Sequence, residues 1–137
     1  MIEKLIYVFE KEKEALKILL NLLEQQHEYL TKEDVFALDA IVKKIENANK
    51  DVASLEMERR SITGEQSIRE IVKNFGNENL DLLYREIQHL LHELKTQKDS
   101  NDILIRQGLG FTTQILDFIN PSGKTPKTYN SYGKVKR

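Results

Sequence analysis

Two Glu-x-x-His pairs, Glu24/His27 and Glu86/His89, are the residues of this 137-residue chain whose types and spacing could do chemistry. On a helix, the i, i+3 spacing puts a carboxylate and an imidazole on one face, which is the ligand pattern of helical di-iron sites. Such a site also needs a carboxylate from each of two further helices, with every ligand facing the interior. Here Glu24 lies off the apolar stripe of its segment, and His89 and His92 point away from the Leu83, Ile87, Leu90 seam. Solvated charged faces account for both pairs, and no metal is expected.

Other chemistry lacks its parts. The chain has no cysteine, which excludes disulfides, thiolate zinc sites and cysteine nucleophiles. It carries no glycine-rich phosphate loop, no Ser/His/Asp arrangement with a scaffold and no adjoining buried carboxylates. Asp34 and Asp39 read as a helix cap and a solvated face. The expectation is a protein that is not an enzyme and needs no cofactor.

The elements that carry these residues are helical. Ile2, Leu5, Phe9, Leu16, Leu19, Leu23 and Leu30 recur at steps of three and four, and only Glu12 and Gln26 break the stripe. Thr31-Lys32-Glu33-Asp34 reads as a capping box that opens a second, weaker stripe of Leu38, Ile41, Ile45, Ala48, Val52 and Leu55. The short turn between the two implies an antiparallel hairpin. "SITGEQ" (61–66) is the clearest break, after which Ser67-Ile68-Arg69-Glu70 opens a short helix that Gly76 can end.

From Leu80 a single seam runs through Leu83, Ile87, Leu90, Leu94, Leu104, Phe111, Ile115 and Phe118, until Pro121 stops it. As one helix over 78–119 it would hold roughly 42 residues and reach ~63 Å. Gln97 and Asn101 take two successive inward positions. They would either fix register, as polar residues in coiled coils do, or lie where the seam is exposed.

The predicted fold is therefore all-α. It is an elongated antiparallel bundle or coiled coil of about three long helices (about 2–30, 32–60 and 78–119) and one short helix (67–75). That single unit spans 1–120, and a flexible basic tail follows at 121–137. The acids interrupting "MIEKLIYVFEKEKEALKILL" disfavour a leader peptide, and no run reaches the ~18 apolar residues of a membrane span. A soluble, cytoplasmic chain without membrane insertion is expected. The tail carries +5 and the remainder −6, so an acidic body disfavours nucleic acid and only the tail could take an anionic partner.

"RQGLGFTTQILDFIN" places Gly108 and Gly110 inside the last helical pattern, each costing about 1 kcal/mol relative to Ala. Thr112 and Thr113 weaken it further. Just beyond lies an apolar cluster of Phe111, Ile115, Leu116, Phe118 and Ile119. Either the helix kinks at the glycines and packs these residues on the hairpin, or the segment presents them to a partner's groove.

Together these stretches resemble the FlgN-type flagellar export chaperones. The resemblance runs from "LLNLLEQQHEYLTKEDVFALDAIVKKIE" and "LEMERR", through "SNDILIRQGLGFTTQILDFI", to a closing Tyr129-Asn130-Ser131-Tyr132-Gly133 element. Asn130 stands where Asp is common in that element, and Tyr132 where a small residue is usual. The resemblance implies a chaperone that binds hook-filament junction (hook-associated) proteins, keeps them from premature polymerisation and delivers them to the flagellar type III export apparatus. It also places client binding in the C-terminal region. The candidate partner-binding residues are thus Leu104, Phe111, Ile115, Phe118, Ile119, Tyr129, Tyr132 and Gly133. The alternatives are a generic coiled-coil adaptor, self-associating along its seams as a homodimer, or a tail that binds nucleic acid or acidic lipid.

Overall fold

A computed structural model describes residues 1–107 of the chain. Its elements are α1 (Ile2–Lys32), α2 (Val35–Thr63), α3 (Ile68–Phe75) and α4 (Glu78–Arg106), and no strand occurs among the described residues.

The caps show why the helices start and stop where they do. The α1–α2 boundary departs from the expected one: α1 runs on to Lys32, and α2 begins at Val35 instead of about 32. The N-cap is Asp34, whose Oδ1 accepts from Ala37 N at 3.1 Å, while the Thr31 hydroxyl donates to Glu28 O within α1. A carboxylate outranks threonine at this position. Capping at Asp34 leaves Leu38, the first inward residue of α2, fully buried. The turn is closed by Glu33 in the left-handed region (φ 54°), with its N–H on Leu30 O.

Ser61 to Thr63 remain helical, and the break comes at Gly64 (φ 64°). Ser67 caps α3 in position, without a side-chain hydrogen bond. Gly76 ends α3 at φ 60°, and Asn77 caps α4 by accepting from Leu80 N at 2.9 Å.

Consecutive long helices run antiparallel, so α1 and α4 are parallel. Lys13 meets Glu86, Asn101 reaches Leu23, and Leu30 packs with Ile105, a pairing that climbs both helices together. Along α2 the order reverses, with Ile62 near Val8, Ala48 near Ile18 and Leu38 near Leu30. Helix α1 is the middle element, holding α2 on one flank and α4 on the other. The main core joins Leu5, Phe9, Leu16, Leu80, Leu83 and Ile87, and α3 seals its lower end with Ile71 and Val72. A smaller cluster of Leu30, Leu38 and Ile105 closes the upper end.

The α4 seam drifts as a straight helix must. A 3.6-residue turn lags a heptad by ~20° per repeat. By the fourth repeat after Leu80 the inward position has moved on by most of a residue. Ile105, not Leu104, is therefore buried there, and Leu104 packs half-buried against the upper cluster. The expected continuation of this helix to 119, the 1–120 unit boundary and the 121–137 tail lie outside the described residues.

Candidate partner-binding groove

Helix α2 has too thin an apolar face to cover both of its neighbours. Beyond its first two turns it buries only Ala48 and Thr63, and Asn47 and Asn49 face solvent. A trough consequently stays open between α2 and α4, with α1 as its floor. Its upper part has a volume of about 340 Å³. Leu19 and Leu23 form the floor, Val42 and Ile45 the α2 wall, and Leu94 and Ile105 the α4 wall.

The rim is polar but nearly balanced: Lys98 pairs with Asp102 at 3.2 Å and Lys95 with Asp99 at 3.0 Å, while Glu46 and Asn49 line the opposite side. An apolar floor with a charged rim suits the apolar face of an amphipathic helix.

One polar layer crosses the upper floor. Asn101, 2% exposed, donates through Nδ2 to Leu23 O at 2.8 Å and Gln26 Oε1 at 3.0 Å. Its Oδ1 accepts from Gln97 Nε2 at 3.1 Å and lies 3.1 Å from His27 Nδ1. Of the two readings open for Gln97 and Asn101, the structure selects an internal register layer facing α1 of the same chain.

Further down, a smaller concavity of about 150 Å³ contains Glu12, the other interruption of the α1 stripe. Glu12 is buried, with Oε1 3.6 Å from Arg59 Nε of α2. Burial pushes its carboxyl up to about 7, partly opposed by the Arg59 charge and reinforced by Glu56.

The Glu-x-x-His residues do not converge. Glu24 is exposed, His27 faces Asn101, Glu86 pairs with Lys13 at 3.0 Å and His89 with Glu93 at 3.5 Å. Among the described residues no group of three or more His, Asp or Glu side chains could hold a metal ion. No described helix is long and apolar enough to cross a membrane.

Of the sequence-predicted contact residues, the structure places only Leu104, at the upper cluster beside the trough's end. Phe111, Ile115, Phe118, Ile119, Tyr129, Tyr132 and Gly133 lie outside the described residues. Sequence reasoning passed over Val42 and counted Ile45 only in the α2 stripe, not as a groove wall. The signal for them was the weakness of the α2 stripe itself.

No curated protein and no solved structure matches the chain. The family model described as FlgN protein matches residues 1–137, and the chain thus belongs to the FlgN family of flagellar export chaperones, not to an enzyme family.

Proposed function

We propose that this protein is a cytoplasmic export chaperone for hook-associated proteins. It keeps them from polymerising prematurely and delivers them to components of the flagellar type III export apparatus. The whole-chain FlgN match carries this reading. The trough supports it physically, because a client's polymerisation helices are amphipathic and need their apolar sides covered. Client contact runs through Leu104, Phe111, Ile115, Phe118 and Ile119, with Tyr129, Tyr132 and Gly133 as a second element touching client or export machinery. The complex has to be of moderate affinity, since an irreversible one could not release its cargo.

The test is capture of hook-associated proteins by the full chain and by a Phe111→Ala/Phe118→Ala variant. The wild type retains one of them as a defined complex and the variant loses most of it. Equal capture by both refutes the assigned contact residues, and no capture by either refutes the client class. A generic coiled-coil adaptor fits less well, because the α4 seam from Leu80 to Ile105 is buried against α1 of the same chain.

A further inference from the structure

We propose that the lower end of the α2–α4 trough is a socket for a basic side chain, lysine or arginine, carried by a partner helix whose apolar face lies in the upper trough. The partner's identity rests on the chaperone reading, and the socket itself does not.

The socket is built around one carboxylate. Glu12 rises from the α1 floor, 9% exposed, into a concavity of about 150 Å³ whose wall is largely apolar: Phe9, Leu16, Val52, Ile68 and Leu91. A buried carboxylate is ordinarily held by short hydrogen bonds to a donor or cation. Here the cation paired with it, Arg59 Nε, stands 3.6 Å away, and the same guanidinium is shared with Glu56 at 3.9 Å. Both separations exceed a hydrogen bond. Glu56 takes its closer partner, Arg60 at 3.0 Å, from outside the lining. Two carboxylates therefore line the concavity against one guanidinium, and the site is one positive charge short.

Size and character select the occupant. A cavity of ~150 Å³ accepts a benzene ring. The guanidinium end of an arginine or the aminobutyl end of a lysine is of that size. Its methylenes rest on the apolar wall while its head meets Glu12, as long basic side chains divide themselves between apolar surface and polar surroundings. Tyr84 adds an aromatic surface, which cations favour. Glu12 lies ~10 to ~16 Å along α1 from Leu19 and Leu23, the floor of the upper trough. A helix filling both parts thus carries its basic residue about two to three turns from its bulky apolar ones.

A proton links socket and occupant. In the empty socket burial raises the Glu12 carboxyl to about 7. The cation needs the carboxylate, so binding releases that proton to solvent and strengthens as pH rises. The other charged or titratable groups facing Glu12 are Arg59 and Glu56 from α2 and Tyr84 from α4, while α3 contributes Ile68 alone.

The test titrates n-butylguanidinium and its uncharged isostere n-butylurea into the full-length protein, following the Glu12 side-chain carboxyl by carbon-13 NMR. Butylguanidinium shifts that resonance to saturation and binds roughly tenfold or more tighter than butylurea. Its affinity rises about tenfold from pH 6 to pH 8, the ratio of ionised fractions for a carboxyl at about 7. Glu12→Gln, followed through backbone amide shifts around the socket, removes both the preference and the pH dependence. Leu91→Lys leaves Glu12 in place, supplies the cation from the half-exposed α4 wall and blocks the probe. Equal binding of the two probes overturns the proposal, as does undiminished binding to either variant. Spermidine binding at this site more tightly than butylguanidinium by tenfold or more overturns the partner helix in favour of a free polyamine. No client enters the measurement, so its failure and that of the chaperone reading are told apart.

Discussion

Asn101 of α4 donates to the main-chain carbonyl of Leu23 on α1 at 2.8 Å, across 78 residues of sequence. This contact joins two parallel helices that are not neighbours in the chain, and it does so inside an otherwise apolar seam. One side chain thereby holds a main-chain carbonyl and three polar side chains, those of Gln26, His27 and Gln97. Moving α4 by a turn along α1 would break the contacts to Leu23, Gln26 and His27, so the layer specifies register.

Removing it should be costly in one direction and cheap in another. Asn101→Ala leaves Gln26 buried without its donor, and a stranded buried polar group costs about 1–3 kcal/mol. Urea unfolding should show a loss of that size. Replacing both residues, Asn101→Leu with Gln26→Leu, should recover most of it. A double variant no more stable than Asn101→Ala would mean that the layer is not the source of the cost.

How far this was legible in the sequence differs from residue to residue. The apolar stripes of α1 and α4 state their own burial, and Glu12 and Gln26 stand out as interruptions. What they meet could not be read locally, because Arg59 and Asn101 come from other helices and are selected by packing. The α1–α2 turn offered two good caps three residues apart, and the choice rested on the depth at which Leu38 had to enter. Leu104 was taken as inward by a strict heptad count, which a straight helix does not keep. The trough was the least legible feature. It arises from what α2 lacks, and an absent apolar face leaves no motif.

The corrected cap makes a direct prediction. Asp34→Ala should lower stability by about 1 kcal/mol through the orphaned Ala37 N–H, while Thr31→Ala should have little effect. Thermal or urea unfolding of the two single variants decides it. The opposite ranking would restore Thr31 as the cap.

Lys13 and Glu86 form the ion pair between α1 and α4, with side chains 24% and 39% exposed. At that exposure the pair should be weak, about 0.2–1 kcal/mol in a double-mutant cycle, and should shrink as salt is added. A coupling above about 2 kcal/mol would mean that the helix pair depends on charge and not on its apolar seam.

Glu12 makes stability depend on pH. Its carboxyl is raised from 4.5 to about 7, chiefly because burial disfavours the charged form, with Arg59 offsetting only part of that penalty. The folded chain thus holds this proton more tightly than the unfolded one. The stability it confers is complete below pH 4.5 and is lost as pH rises through 7. A displacement of that size corresponds to about 3 kcal/mol. Glu12→Gln mimics the protonated side chain at every pH. It should match the wild type in urea unfolding near pH 4 and exceed it by up to about 3 kcal/mol at pH 8. If Glu12→Gln is instead destabilised at pH 8, the Arg59 pair outweighs burial and the carboxylate is the form the fold prefers.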